Sequence, residues 1–263
     1  MKSVLVIGSE GFIGKEVVKQ LENENYNVVK FDKKLNPNND TLFHDFVLDY
    51  EYDYVINLAG LVGLKLCLDN PINAVYQNIL GVTRVLDAMK NSDTKIIHIS
   101  TWAVEGNLIN PYDVTKLAGE NMTMSYIKRG LIKGCVCRLG TTYGPGMSKL
   151  GVIPSMLKKL KENKPLVIYG RGEQIRQFTY ISDTASGIIK VMESGENGEL
   201  YHVVSDEITS IKQIADSISE DIEYEKSREG DEKYTVLNNK KLKEFGWKPK
   251  INFKKGVELM KNG

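Results

Sequence analysis

The chain has 263 residues, 41% hydrophobic and 26% charged, which is the make-up of an ordinary globular protein with one large core or one core and a small appendage. Its 35 Lys and Arg against 34 Asp and Glu leave a formal net charge of +1, so nothing in the charge calls for a nucleic-acid partner. Cys67, Cys135 and Cys137 make neither a zinc-type pair of pairs nor a disulfide framework, the start MKSVLVIGSEG breaks too early for a signal peptide, and no apolar run reaches membrane-spanning length; the reading is a cytoplasmic protein with no metal and no membrane partner.

Residues 4–7 (VLVI) are a continuous apolar run ending in glycine, the pattern of a central parallel strand buried on both faces. Ile13, Val17, Val18 and Leu21 then recur at helical spacing, and VVKF (28–31) reads as a second strand, which together predict a β-α-β unit. Between the first strand and the helix lies GSEGFIG. Gly8 permits the tight turn, Gly11 lets the backbone approach a pyrophosphate, and Gly14 lets helix and strand pack closely. The helix opens at Phe12 and Ile13, where free N–H groups and the positive dipole end receive phosphates. Asp32 ends the second strand, 18 residues after Gly14, where a carboxylate accepts hydrogen bonds from both ribose hydroxyls and repels a 2′-phosphate. That favours NAD; Lys33 and Lys34 follow at once and keep NADP open.

The alternation continues with a strand at 55–58, a Gly- and Leu-containing loop, and a long helical pattern from Pro71 to about Met89. KIIHIS (95–100) is a strand, 112–128 a helix and 134–139 a strand, on which Cys135 and Cys137 share one face as buried or half-buried thiols. Repeated β-α-β predicts an α/β fold, a doubly wound parallel sheet of Rossmann type. The character changes at YGPGM (143–147), a turn cluster. A helix (152–162), strands near 166–169 and 178–181, a helix (182–193) and a last helix (253–261) follow. We expect a dinucleotide-binding domain over 1–144, completed by parts of 178–204, and a small, discontinuous substrate-binding lobe over 145–263, set over the sheet edge where ligands of open α/β sheets bind.

Tyr112 and Lys116, in PYDVTK, are four apart on the predicted helix and share a face. A free tyrosine has a pKa near 10, and lowering it by about three units takes roughly 4 kcal/mol; an adjacent ammonium supplies part of this, and an oxidised nicotinamide ring supplies more. Thr101, at the end of the 95–100 strand, is the natural third member, its hydroxyl placed to bond the substrate oxygen that gains or loses a proton.

These motifs, in this order, resemble the extended short-chain dehydrogenases/reductases of the NAD-dependent epimerase/dehydratase family, which act on nucleotide sugars. The resemblance runs from Met1 to about Leu259. Asp45 resembles the acidic residue that holds the adenine. Leu58, Ala59 and Gly60, in NLAG, resemble the end of the family's fourth strand, and Asn78 its structural asparagine. RLGTTYGPG, GEQIRQFTYISD, REGD (228–231) and FGWKP resemble later segments of the family. The resemblance implies Tyr112 as general acid/base, Lys116 lowering its pKa and bonding the nicotinamide ribose, and Thr101 bonding the reacting hydroxyl. It implies substrate contacts from Thr141, Arg176 and Arg228, and a homodimer built through helices near 71–90 and 112–129. The function expected is an NAD-dependent nucleotide-sugar epimerase of the 4-epimerase type. A reductase of a keto nucleotide sugar and a non-catalytic nucleotide sensor are the alternatives.

The chain departs from the family in places. Trp102 and Ala103 stand where dehydratases carry acidic residues and decarboxylases an acid at the second position; neither transfers a proton, which argues against both reactions. The connector between Gly106 and Tyr112 is shorter than usual, Thr141 replaces a common Asn, and Glu105 replaces a usual Tyr. Arg176, in a strand with Phe178 and Tyr180, needs a partner: a diphosphate or an internal carboxylate. Arg228 is either a ligand contact or a solvated charge, Arg171 reads as surface, Lys65 faces either substrate or solvent, Trp102 reads as packing, and His98 and His202 read as core or edge residues.

Overall fold

A computed structural model describes residues 1–33, 51–149, 151–226 and 236–261. Asp45 and Arg228 lie outside the described residues. The strands β1 (Ser3–Ile7), β2 (Asn27–Phe31), β3 (Tyr54–Asn57), β4 (Lys95–Thr101), β5 (Lys133–Leu139) and β10 (Leu200–Val203) form a six-stranded sheet in the order β10-β5-β4-β3-β1-β2, with every pairing parallel. The central strands are apolar on both faces because helices cover both.

One face carries α1 (Phe12–Asn23) and α6 (Ile181–Ser194). Val17, Val18 and Leu21 of α1 meet Ile188, Ile189 and Met192 of α6 over Val4, Val6, Ile97 and Ile99 in a dry core that also holds Cys135 and Cys137. Lys95 closes the end of α6 by donating to the carbonyls of Met192 (2.8 Å) and Gly195 (2.6 Å), acceptors the helix leaves over.

The other face carries α3 and α4 (Pro111–Lys128). Helix α3 runs Pro71–Val75, then a π-helical stretch Tyr76–Leu80, then Gly81–Ala88; the short helix α2 (Leu64–Asp69) precedes it. Sequence periodicity predicts one continuous helix from Pro71, and the π stretch is the difference. It carries Asn78, whose side chain is bonded on both sides (below), and such widened turns recur where a side chain must be placed off the regular register. Helices α3 and α4 approach closely at Gly119, where a Cβ would lie 2.5 Å from the Asn78 carbonyl oxygen.

Beyond β5 the chain forms short paired strands: β6 (Thr141–Tyr143) parallel to β9 (Phe178–Tyr180), β7 (Leu166–Tyr169) parallel to β12 (Ile222–Glu225), and β8 (Ile175–Arg176) antiparallel to β11 (Thr209–Ser210). With α5 (Val152–Lys161) and the last helix (Phe253–Lys261) they enclose a separate cluster around the fully buried Tyr143, which meets Phe178 edge-on at 5.8 Å. Gln177 joins this part to the sheet edge, donating to Ser205 O (2.9 Å) and Leu237 O (3.0 Å) and accepting from Leu237 N (2.8 Å).

Candidate active site

The turn after β1 is built for backbone, not side chains. Gly8 has φ +85°, a left-handed conformation open to glycine, and its N–H donates to Phe31 O at 2.8 Å. A Cβ on Gly8 would lie 2.9 Å from Ala59 N, and one on Gly14 only 2.1 Å from Gly8 O. The turn, the start of α1 and the residues after β3 thus meet without side chains between them. Gly11 N-caps α1 and no side chain caps the helix, so Phe12, Ile13 and Gly14 begin it with N–H groups that have no helical acceptor. Asp32 follows β2 and is largely buried, with Oδ2 accepting from Glu10 N at 3.2 Å. A bare concave backbone, a helix N-terminus and a carboxylate at the next strand end fit a dinucleotide.

Thr101 is the last residue of β4, at the same edge of the sheet as Leu58–Gly60 beyond β3. Helix α4 starts beside it because Asn110 caps the helix, its side chain accepting from Tyr112 N at 2.9 Å, and Pro111 occupies the first turn, where no N–H is needed. That start sets Tyr112 in the first turn of α4, with its ring against Leu61, Cys67 and Ala74. Burial pushes the Tyr112 phenol up to about 12, the Thr101 side chain opposes that rise, and Asp113 and Cys67 add to it. Lys116, one turn later, is 6% exposed; its Nζ donates to Ile99 O at 2.6 Å, and burial brings its pKa down to about 8. Asn78 secures the pair from α3. Its Oδ1 accepts from Leu61 N (2.8 Å), and its Nδ2 donates to Leu61 O (3.1 Å) and to Thr115 Oγ1 (3.0 Å). A Cβ on Gly60 would lie 2.7 Å from Asn78 Oδ1 and 4.0 Å from Lys116 Nζ, so these residues form one cluster.

The other named residues sit around this cluster in different ways. Ala59 N donates to Asn57 Oδ1 at 3.2 Å, while Leu58 N donates to Ile7 O at 2.9 Å. Thr141 opens β6, half-buried, its N–H on Gln177 O at 3.0 Å. Arg176 ends β8 with its guanidinium over the Trp102 ring, 5.2 Å from the centroid, and with Nη1 donating to Ile175 O at 2.7 Å. The Trp102 ring, next to Thr101 in sequence, thus packs against the Arg176 guanidinium. Lys65 lies in α2 with its side chain 85% exposed, paired at 2.9 Å with Asp69 four residues on. His98 is fully buried in β4, and burial together with Lys116 holds it well below the ordinary imidazole range. Among the described residues no group of three or more His, Cys, Asp or Glu could hold a metal ion, and no helix is long and apolar enough to cross a membrane.

Sequence reasoning missed Arg138, Glu120 and Asn110. Glu120 had a signal: it lies four residues beyond Lys116 and eight beyond Tyr112, on the same helix face. Asn110, directly before Pro111, is a cap signature. Arg138 had none beyond its place in a turn motif.

A model of the NAD dependent epimerase/dehydratase family matches residues 4–204. A Methanocaldococcus jannaschii protein named as a putative UDP-glucose 4-epimerase is 28% identical, over 98% of this chain and 97% of its own length. That alignment is 298 positions long against 263 residues here, so the relative carries segments that this chain lacks. UDP-glucuronic acid decarboxylase 4 of Arabidopsis thaliana is 27% identical, over 98% of this chain and 67% of that one. The crystal structure of UDP-glucuronic acid 4-epimerase from Bacillus cereus, in complex with UDP-glucuronic acid and NAD, superposes with a TM-score of 0.87 at 28% identity, covering 99% of this chain and 98% of that one. With the glycine turn, the parallel sheet and the match over most of its length, this chain belongs to the NAD-dependent epimerase/dehydratase family.

Proposed function

We propose that this protein is an NAD-dependent epimerase of a nucleotide sugar, of the 4-epimerase type. The observation that carries the reading is the placement of Thr101 at the end of β4, close enough to the Tyr112 phenol to oppose the rise of its pKa, one helical turn from the buried Lys116. A nicotinamide dinucleotide held in the Gly8–Gly14 turn supplies the hydride acceptor and donor. Tyr112 takes the sugar hydroxyl proton as the carbon is oxidised and returns it when the opposite configuration forms. Thr101 shares a hydrogen bond with that oxygen and fixes its place. Lys116, at about 8, is charged at neutral pH and lowers the cost of the tyrosinate. The pocket side of the turn holds Trp102 and the buried Ala103, which have no proton to transfer. That weighs against the eliminations and decarboxylations named among the relatives. Asp32 supports NAD over NADP, since a buried carboxylate at that strand end repels a 2′-phosphate. The substrate contacts fall to Thr141 and Arg176, beside Trp102.

We also propose a homodimer through α3 and α4, supported by the apolar side chains they leave in solvent: Ile72, Val75, Tyr76, Leu80 and Val114, with Ile72 84% exposed. A dimeric mass in solution scattering is expected, and a monomeric mass overturns it.

The test of the reaction is turnover on UDP-, GDP-, CDP- and dTDP-sugars. One of them is expected to isomerise with no net change in the nicotinamide absorbance band. A change proportional to substrate identifies a keto-sugar reductase instead. Full activity in Tyr112→Phe overturns the mechanism.

A further inference from the structure

We infer that Glu105 is a positioning residue of this reaction site: its carboxylate joins Arg138 to His202 and holds the turn carrying Thr101 in register with the helix carrying Tyr112. The inference rests on the reaction proposed above.

The four residues after Thr101, Trp102–Glu105, form a 3-10 turn, started by Thr101 Oγ1 accepting from Ala103 N at 3.4 Å. At its far end Glu105 Oε1 accepts from Arg138 Nη1 at 2.7 Å and from His202 Nε2 at 3.1 Å. The other edge of the same guanidinium is bidentate on Glu120 of α4, with Nε to Oε2 at 3.0 Å and Nη2 to Oε1 at 2.5 Å. Glu120 is one turn beyond Lys116 and two beyond Tyr112 on one face of that helix. One planar group in β5 thus holds both supports of the triad: the turn after Thr101 through Glu105, and α4 through Glu120.

Glu105 sits where two strands meet. His202 and Arg138 are partners in the parallel ladder of β10 and β5, at adjacent positions on one face. The one carboxylate of Glu105 reaches both. The groups that face His202 are the Glu105 carboxylate from the turn, the Asn238 carbonyl oxygen at 3.0 Å from Nδ1, and Arg138 on the neighbouring strand. His202 thus bridges the Glu105 carboxylate and the Asn238 backbone, tying the turn to the segment that follows β10.

The link also reaches the substrate side. Asn238 is flanked by Leu237, bonded to Gln177, and by Asn239, whose side chain donates to Val204 O at 2.9 Å. Gln177 follows Arg176 in sequence. The connector Gly106–Asn110 is therefore held at its start by Glu105 and at its end by the Asn110 cap, with Glu105 at the meeting point of reaction turn and substrate segment.

The test uses Glu105→Gln, which keeps shape and removes charge, and Glu105→Ala, in the full chain. Both are expected to lower kcat at least about ten-fold, as displacement of reacting groups does, with KM and the NAD dissociation constant within about three-fold of the parent. Their crystal structures are expected to show the Thr101 and Tyr112 side chains displaced relative to one another, a readout that needs no substrate. The double variant with His202→Gln is expected to be no worse than Glu105→Gln alone. The inference is overturned by wild-type kcat in either variant, by Thr101 and Tyr112 side chains that keep their parent positions in both, by additive losses in the double variant, or by loss of NAD binding in step with kcat. Tyr112→Phe run in parallel separates the two readings: if it is fully active the reaction fails, and if it is inactive while Glu105→Gln is normal only the positioning role fails.

Discussion

Helices α6 and α4 lie on opposite faces of the sheet and bury side chains of different chemistry. Helix α6 presses Ile188, Ile189, Val191 and Met192 onto the strands, whereas α4 buries Asp113, Thr115, Lys116, Glu120 and Thr123. The apolar side chains need only water exclusion, and are interchangeable within their volume. The polar ones need every buried donor and acceptor to find a partner, so each contact there has one geometry. Both faces carry an apolar cluster, with Leu5, Val55, Val82, Val85 and Leu86 on the α3 and α4 side, but α4 adds a buried polar layer to its own, so substitutions in α6 and in that layer should fail in different ways.

The largest separation is expected from Tyr112→Phe. In the proposed mechanism it removes the proton-transferring group, which is worth about 10²–10⁴-fold in rate, and its melting temperature should stay near that of the parent; a comparable loss of stability would mean that the polar layer is structural. Ile188→Ala, in the dry core, should do the reverse. A cost of about 2–5 kcal/mol in urea unfolding is expected, with the rate per folded molecule intact.

Lys116 gives the polar layer a pH signature. Its folded-state pKa of about 8 lies below the ordinary 10.5, so between those values the unfolded chain holds a proton that the folded chain has released. Stability contributed at this residue therefore rises with pH across that window. The difference between parent and Lys116→Met should change by on the order of 2–3 kcal/mol over it. A flat difference in pH-dependent unfolding would break the assignment of a desolvated lysine. Asn110→Ala should have the smallest effect on stability, about 1 kcal/mol for a lost helix cap. It should nonetheless lower turnover, because the cap places Tyr112; unchanged turnover would show that α4 holds its register without it.

The same contrast explains what the sequence made legible. Periodic apolar residues announce α1 and α6, since burial of Val17, Leu21, Ile188 and Met192 is written in their spacing. The face that α4 buries carries no such stripe. The Tyr112–Lys116 spacing and the family resemblance located that helix, and its polar burial is visible only once Asn78 and Ile99 supply partners. Lys65 shows the limit of loop reading: a one-and-a-half-turn helix at Leu64–Asp69 brings Asp69 under it and turns it to solvent. The Glu105–Arg138–His202 group was beyond reach, because its members come from three separate elements and no local pattern relates them.

Asn78 has a consequence for how the molecule opens. The amide hydrogen of Leu61 is held by a side chain from α3, and the same side chain holds Thr115 in α4. Hydrogen exchange at Leu61 thus requires Asn78 to release it, which loosens its hold on α4 at the same moment. The two segments open as one cooperative unit, and the exchange rate of that single amide becomes a clock for how often Tyr112 and Lys116 leave the sheet.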